Sequence, residues 1–439
     1  MKTLYRHIRN RYSSIRPSLM MLWLLLALVS ASCSSSSSED DNGRKMPLEP
    51  AVLNVFVYAP GQSVPTRGNT GPVDADLEAE TAIHTLQIWV YTHVESPATP
   101  QLVTYFSTTE FAATASADGT NKLELPIPDS FADQTTPYSP RPRVDVYVLA
   151  NVAHDNCGQS FDENTSREVL ENAVLQGNFF GLSETPVSTI PADGLPMSGV
   201  LRDQQVTGER PVLTLRPKDD SEKMATVTLA RVVSKVRFVF SCSTDFASLK
   251  INEIKFNSGM IPNQEYFFLE DEDSPYTYDG NAFHINGGEG YNTEPSPSLF
   301  SIAETARCAD PAYYAWDRLS NDNPTLTSQE LAEAYEDLIN EGLTSNANHA
   351  EPRLTERRVY LRESDKQLSG TITYQVKESA DGEYGEDTSA AFRMDAAHDF
   401  SRNHTWTVYA YLSWAKMYIV NVVVNRWSPI EASHEVYNW

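Results

Sequence analysis

The chain has 439 residues, of which 41% are hydrophobic, enough for globular cores and more than a disordered chain carries. At ~150 residues per domain, this length corresponds to two or three domains. Fifty-nine acidic and 34 basic side chains give a net charge of −25, which argues against nucleic-acid binding because phosphate contacts need clustered Lys and Arg.

The first 32 residues are typical of a secretory signal. Basic residues precede an eleven-residue apolar run, Leu19 to Val29, which is shorter than the roughly 20 residues of a transmembrane helix. Ser30-Ala31-Ser32-Cys33 follows and resembles the lipobox of bacterial lipoproteins, in which Cys33 becomes the acylated N-terminus. The serines and acidic residues after Cys33 are typical of a flexible tether. Simple secretion, with Cys33 as an ordinary residue, is the alternative.

Most of the remaining chain predicts short β-strands. The clearest patterns lie at 53–58, 86–91 and 144–149, where apolar and polar or aromatic residues alternate. Further strands are predicted at 122–125, 226–229, 232–240, 249–256, 358–361, 371–376, 405–412 and 417–424. Twenty-six prolines and 20 glycines punctuate them, so the pattern predicts a mainly all-β fold of two antiparallel β-sandwiches.

One helix is predicted in the second half. Thr327 and Glu330 form a capping box, apolar residues follow at helical spacing, and Gly342 stands where a left-handed C-cap is expected. The helix belongs to a loop-rich stretch, 258–350, which we interpret as an insertion into the second sandwich.

The predicted organisation has four parts, with the domain boundary in the polar, charged link near 217–222. They are a signal peptide (1–32), a tether with a removable first strand (33–67), an N-terminal sandwich (68–220) and a C-terminal sandwich (221–439).

Motifs for catalysis and metal binding are missing from the sequence. No phosphate-binding loop, HExxH, GxSxG or CxxC occurs, and beyond Cys33 the cysteines Cys157, Cys242 and Cys308 allow at most one disulfide. The sequence therefore predicts no catalytic residue, metal ligand or cofactor, and a protein that is not an enzyme.

Four weaker patterns each have an ordinary structural interpretation. His154 and Cys157 could form a metal or nucleophile pair, but no second pair lies nearby. The acidic run 270–273 could attract calcium, but it lacks the spaced pattern of a calcium loop. Asp395 and His398 lie close together without a motif. Trp89 and Tyr91 could stack on sugars, but packing between sheets or domains is the favoured interpretation.

The most specific signal is an ordered set of segments from both ends of the chain. The set consists of Leu53–Tyr58, Pro65–Gly68, Ala82–Tyr91, Val144–Asn151, Met197–Gly199, Leu229–Val236, Met417–Val424, Trp427 and Val436–Trp439. In this order they resemble the fimbrillins, the two-domain subunits of type V pili. The resemblance spans nearly the whole chain and implies two transthyretin-like sandwiches.

The resemblance also implies a mechanism of assembly. A lipoprotein precursor at the outer membrane is cut by an arginine-specific extracellular protease between Arg67 and Gly68, which removes the first strand. The C-terminal strand of a neighbouring fimbrial subunit then fills the groove. The residues of the removable strand are Leu53, Val55, Phe56, Val57 and Tyr58. The donor region, about Tyr418 to Trp439, offers Ile419, Val422, Val424, Trp427, Ile430, Val436 and Trp439 as anchors.

The sequence leaves several roles open. An anchor subunit of this family keeps its lipid and its first strand, and the 258–350 insertion favours an accessory or tip subunit, or a decorated stalk. A host protein or glycan is a further partner to consider. The main alternative is a surface-anchored lipoprotein that binds glycans, and a hydrolase on a β-sandwich is a third class, with no motif that selects its carboxylates.

Overall fold

The computed structural model describes fourteen ranges of the chain, from Glu49 to Arg426. They are residues 49–58, 79–95, 98–111, 120–133, 142–176, 179–182, 188–220, 222–268, 290–345, 350–364, 366–393, 400, 402–414 and 416–426.

The described residues are mostly β-structure, as the sequence predicts. The strands are β1 (Ala51–Tyr58), β2 (Leu86–Thr92), β3 (Leu102–Thr108), β4 (Thr120–Ile127), β5 (Arg143–Ala150), β6 (Val174–Leu175), β7 (Met197–Glu209), β8 (Val212–Arg216), β9 (Thr226–Thr228), β10 (Ala230–Arg231), β11 (Val233–Ser243), β12 (Ser248–Phe256), β13 (Glu265–Tyr266), β14 (Arg307–Cys308), β15 (Thr355–Arg362), β16 (Ser369–Lys377), β17 (Thr388–Arg393), β18 (His404–Ser413) and β19 (Lys416–Arg426). The helices are α1 (Asp129–Ala132), α2 (His154–Cys157), α3 (Arg167–Glu171), α4 (Trp316–Asp322) and α5 (Ser328–Leu343), with a 3-10 turn at Pro311–Tyr314.

The first half of the chain forms one curled sheet. Its strand order is β3-β2-β5-β7-β8-β1-β4, with β9 beside β1 and β10 beside β7. β3 and β4, the strands at the two ends of this order, are in contact: the Thr104 hydroxyl of β3 donates a hydrogen bond of 2.7 Å to the Pro126 carbonyl of β4. The sheet therefore encloses a single apolar core, to which β1, β2 and β5 all contribute.

The second half is a sandwich of two sheets. One sheet has the order β14-β11-β18-β19 with β15 also paired to β11, and the other has the order β12-β16-β17. Phe238 from the first sheet and Phe256 and Phe392 from the second meet edge to face or tilted in the core between them. Most pairings are antiparallel, as predicted, whereas β11 and β18 are parallel neighbours.

The helix predicted near Thr327 is confirmed as α5. Thr327 and Glu330 form the capping box, and Leu331 and Tyr335 are buried on the face that packs against the second sandwich. The predicted left-handed C-cap at Gly342 is wrong, because the helix continues through this residue and the C-cap is Thr344. Gly342 serves close packing instead, since a Cβ there would lie 2.5 Å from Leu354 Cδ1.

The sheets change between Arg231 and Val233. β9 and β10, which follow the predicted boundary at 220/221, still pair with strands of the first sheet. β11 then begins the second sandwich, and the described residues from Pro50 onward form one compact unit. No helix in the described part of the chain has the length and apolarity needed to cross a membrane.

Candidate functional site

The first strand, β1, lies inside the first sheet with neighbours on both sides. All eight of its residues pair antiparallel with β4, from Ala51 opposite Ile127 to Tyr58 opposite Thr120. On its other side, β1 pairs parallel with β8 and then with β9. A segment from the start of the chain thus fills a slot between strands from two later parts of the sequence.

Alternate side chains of β1 hold it in the core. Leu53, Val55 and Val57 are each 0% exposed, and Ala51 is 2% exposed. Burying a Val or Leu side chain is worth about 1.5–3 kcal/mol, so the first three together stabilise the strand's position by roughly 5–9 kcal/mol. The predicted alternation over 53–58 therefore corresponds to a strand whose inner face is part of the main core.

The outer face of β1 is less well matched to its surroundings. Val52, Phe56 and Tyr58 are half-buried, and Asn54 is 5% exposed. The Asn54 side-chain oxygen has no hydrogen-bond partner among the described residues. A buried amide oxygen without a partner opposes burial by about 1–3 kcal/mol, so this face offsets part of what the inner face contributes.

Beyond β1, the described chain resumes at residue 79 and is immediately fixed at Glu80. This carboxylate is fully buried and accepts hydrogen bonds from Lys235 Nζ at 2.8 and 3.1 Å and from the Tyr360 hydroxyl at 2.6 Å. Its backbone carbonyl accepts a hydrogen bond of 2.9 Å from Arg231 Nε. The chain that follows the gap is therefore tied to the second half of the molecule, whereas β1 belongs to the first sheet.

Glu80 is a residue whose role the sequence did not reveal. In the sequence it ends an acidic linker, and acidic runs usually indicate solvated loops. Its partners Lys235 and Tyr360 lie far away along the chain. The one local signal is a lysine inside the apolar strand 232–240, which predicts an acidic partner without identifying it.

The processing and lipidation residues named above, Cys33, Arg67 and Gly68, lie outside the described residues. Arg67 belongs to the segment 59–78 that joins β1 to the part of the chain fixed at Glu80. Cleavage there would separate β1 from everything that follows.

The C-terminal donor region is described only in its first part. β19 pairs antiparallel with β18, from Lys416 opposite Ser413 to Arg426 opposite His404, and stands at the edge of its sheet. Ile419 is half-buried and packs against the second core. Two further predicted anchors, Val422 and Val424, also belong to β19. The remaining predicted anchors, Trp427, Ile430, Val436 and Trp439, lie outside the described residues.

Trp89 and Tyr91 are not exposed, so the interpretation that they pack between sheets or domains is confirmed. They are 0% and 3% exposed, and they pack on the outer face of the first sheet against segments that include Phe161 and Phe267. Trp89 Nε1 donates a hydrogen bond of 2.8 Å to the Asp162 carbonyl. Stacking of a sugar on these two rings is excluded by their burial.

The other weak candidates also fail to form a site. Cys157 is fully buried, and burial raises the pKa of its thiol to about 12, while His154 is exposed beside it. Among the described residues no three His, Cys, Asp or Glu side chains are placed to hold a metal ion. The acidic run 270–273 and the pair Asp395 and His398 lie outside the described residues. Cys157, Cys242 and Cys308 are all free thiols.

Buried ion pairs stabilise the second sandwich. Arg237 Nε donates to Glu356 Oε1 at 2.7 Å, and the same guanidinium also binds Glu336 on α5. Burial acts to raise the pKa of Glu356, but the Arg237 and Arg358 guanidinium groups hold this pKa below its ordinary value. Glu356 is therefore a carboxylate that the fold keeps ionised.

No family model matches the chain, and no curated protein matches it. It is similar to solved structures of bacterial surface proteins. A candidate cell adhesion protein from Parabacteroides distasonis is 15% identical with a TM-score of 0.42, covering 86% of this chain and 92% of that one. The tip fimbrial protein Mfa3 from Porphyromonas gingivalis, with a C-terminal truncation, is 10% identical with a TM-score of 0.40, covering 86% and 99%. A candidate cell adhesion protein from Bacteroides eggerthii is 12% identical with a TM-score of 0.43, covering 88% and 98%. Because these identities are at most 15% and the TM-scores lie below 0.5, the function of this chain has to be inferred from its own residues.

Proposed function

We propose that this chain is a structural or adhesive subunit of a cell-surface fimbria, and that it polymerises by strand exchange after removal of β1. The observation that carries this proposal is the position of β1. It fills a slot between β4 and the strands β8 and β9, and only the segment 59–78 joins it to the rest of the described chain on its C-terminal side. A single cut within 59–78 would detach β1 from the chain that follows, and another strand could then take its place.

Removal of β1 would leave a groove that requires a new strand. The backbone groups of β4 and β8 that now pair with β1 would lose their partners, and unpaired backbone groups in an apolar setting are costly. The core would lose Leu53, Val55 and Val57 as well. A strand from another molecule that supplies both the hydrogen bonds and the apolar side chains would restore the sheet.

The sequence of β19 supports it as that strand. Leu53–Val57 reads Leu-Asn-Val-Phe-Val, and Val420–Val424 reads Val-Asn-Val-Val-Val, so three of the five positions are identical and the other two are apolar. Aligned in this way, Val422 and Val424 take the places of Val55 and Val57, and Asn421 takes the place of Asn54. The same register against β4 would then be satisfied by the donor.

Exchange of this kind is directional. The acceptor groove belongs to the first sheet and the donor strand to the last strand of the second sandwich, so the contact joins two different surfaces. Heterologous contacts that do not close on themselves generate open filaments. A fibre follows from one repeated contact, with no catalytic residue and no cofactor.

Export and processing complete the proposal. Cys33 would carry the lipid of an outer-membrane precursor, and an arginine-specific protease would cut between Arg67 and Gly68. The cut would release the lipidated N-terminus together with β1. The partners are then other fimbrial subunits, the processing protease and the outer membrane before processing, and a host protein or glycan is a further partner for an adhesive subunit.

An anchor subunit is the second candidate, and one observation favours it. In the described chain β1 occupies its own groove and β19 pairs with its own β18; an anchor keeps this arrangement, whereas a polymerising subunit holds it only until it is cleaved. An anchor would retain acylated Cys33 and would accept no donor strand.

The two roles differ in the N-terminus of the protein on the cell surface. Intact mass and N-terminal sequencing of protein recovered from cells, with and without the arginine-specific protease, measure it directly. A polymerising subunit starts at Gly68, and Arg67→Ala blocks both cleavage and polymer formation. A full-length chain with acylated Cys33 in assembled fibres would overturn the processing proposal and support the anchor. Arg44→Ala, the same change upstream of β1, is the matched control and leaves polymer formation unchanged.

A further inference from the structure

A cleft of about 400 Å³ lies at the end of the second sandwich that is remote from the first sheet. β11 starts beside the first sheet at Val233 and ends at Ser243. At ~3.3 Å per residue, the length of this strand places Thr244 about 35 Å from Val233. Thr244 lines the cleft together with β14 and the 3-10 turn at Pro311–Tyr314. Among the residues that the structure describes, none of β1 or β19 lines it, so a ligand there would leave strand exchange free to proceed.

Two arginines give the cleft its chemistry. Arg307 is exposed, and its Nη1 donates a hydrogen bond of 3.3 Å to the Phe246 carbonyl, which orients the guanidinium. Arg353 is half-buried, and its Nη1 donates to the Tyr314 hydroxyl at 3.2 Å. A guanidinium held in this way matches a carboxylate with two parallel hydrogen bonds.

An aromatic ring lies on the rim. Tyr313 is 40% exposed, and the Arg318 guanidinium carbon lies 5.3 Å from the centre of its ring. Arg318 also pairs with Asp310, a carboxylate of the cleft. Arg318 covers one face of this ring, and the part of the ring that stays exposed offers an apolar surface to the C–H face of a sugar. Nearby carboxylate and hydroxyl oxygens accept hydrogen bonds from the sugar hydroxyls.

The lining of the cleft is less acidic than the chain as a whole. It carries two arginines, Arg307 and Arg353, and two carboxylates, Asp310 and Glu351, whereas the whole chain carries −25. Arg318, outside the lining, pairs with Asp310 and lies 3.9 Å from Asp322. A neutral lining on an acidic protein admits a singly charged anion more readily than the acidic surface does, and the two carboxylates disfavour a doubly charged group such as phosphate.

We propose that this cleft binds a sugar that carries a carboxylate. Arg307 takes the carboxylate, the ring of Tyr313 takes the C–H face of the sugar, and Thr244 and Asp310 bond its hydroxyls. The cleft volume lies within the roughly 300–1,000 Å³ of small-molecule sites. Uronic acids and sialic acids share this chemistry and are separate arms of the test. The proposal concerns a site apart from polymerisation and stands independently of it.

The test is ligand-observed NMR on the full chain with N-acetylneuraminic acid, glucuronic acid, glucose and acetate. We expect one of the two acidic sugars to bind, with glucose and acetate at least tenfold weaker. Arg307→Gln and Tyr313→Ala each weaken binding at least tenfold, whereas Arg357→Gln, an exposed arginine on β15, leaves it unchanged.

Three outcomes would overturn the proposal. They are no binding of either acidic sugar, binding that Arg307→Gln leaves unchanged, and acetate binding as tightly as the sugars, which would indicate a simple anion contact. Thermal unfolding of each variant verifies that both replacements, at exposed residues, leave the fold intact. Fimbria formation is scored in parallel on the same variants, so failure of sugar binding is distinguishable from failure of assembly.

Discussion

Removing β1 should cost the chain most of its stability, and returning the strand as a peptide should restore it. The perturbation is a chain made from Gly68 to Trp439, without the first strand. Leu53, Val55 and Val57 are each fully buried, so the loss is roughly 5–9 kcal/mol from side chains alone. This is comparable to the whole free energy of unfolding of a typical protein, about 5–15 kcal/mol.

The assay is urea unfolding of the monomeric 68–439 chain, separated from any polymer by gel filtration, alone and with synthetic peptides. A peptide of residues 50–58 should raise the midpoint in a concentration-dependent way, because it binds only the folded chain. A peptide of residues 417–425 should do the same, because it repeats the pattern around Asn54. A 50–58 peptide with Val55→Asp should fail, since it would bury an unpaired carboxylate. The reasoning is refuted if the 68–439 chain unfolds at the same urea concentration as the full chain, or if the Val55→Asp peptide rescues equally well.

Three further predictions concern the scaffold. Gly342→Ala should lower the free energy of unfolding by about 1–3 kcal/mol through overpacking, whereas Gly385→Ala, where a Cβ would meet its nearest atom at 3.6 Å, should be neutral in thermal unfolding. Trp89→Ala should destabilise by about 3–5 kcal/mol and Trp414→Ala, 80% exposed, hardly at all, as measured in urea. Because the folded pKa of Glu356 lies below its unfolded value, its contribution is present above the ordinary carboxyl pKa and is lost as pH falls through the folded one. The free energy of unfolding of the Glu356→Gln variant should accordingly fall less than that of the wild type as the pH is lowered from about 5 to about 3. An unchanged pH dependence would show that the carboxylate is not held by its guanidinium neighbours.

The strands with strong local patterns could be predicted from the sequence. β2 and β5 alternate clearly, β12, β15, β16, β18 and β19 contain their predicted segments, and β11 begins one residue after the start of its predicted segment. β7 could not be predicted as a whole, because Arg202–Gln205 is polar and Asp203 adopts a positive φ of 57° within the strand. Such a run is typical of a loop, and it forms a strand here because β5 and β8 pair with β7 on either side.

Strand neighbours depend on contacts that no local pattern encodes. The parallel pairing of β1 with β8 and β9 joins segments more than 150 residues apart. Packing of Trp89 was the favoured interpretation, but the segment that covers it could not be named, because alternation indicates two faces and not which later segment covers the second one. The same holds for Glu80, whose partners come from β11 and β15.

The sequence predicted the first strand of the candidate site but not how the donor strand would align in its groove. The first strand and its inner residues could be named from alternation, and the family resemblance gave that strand a role. The correspondence between Asn54 and Asn421 gains meaning only from the structure, where Asn54 stands opposite Glu124 in β4. It specifies which residue of the donor should meet which residue of the acceptor.

That register offers the most direct test of strand exchange. Directly opposite residues of antiparallel strands have Cα atoms about 4.5–5.5 Å apart, within the range of a disulfide. Fimbriae assembled from a chain with Asn421→Cys and Glu124→Cys should form disulfide-linked ladders between subunits under mild oxidation, while Asn421→Cys with Lys122→Cys, two residues out of register on the same exposed face, should not. The three native thiols of the mature chain are buried and give little background. Ladders from the first pair alone would establish the exchange; monomers only, or ladders equally from both pairs, would contradict it.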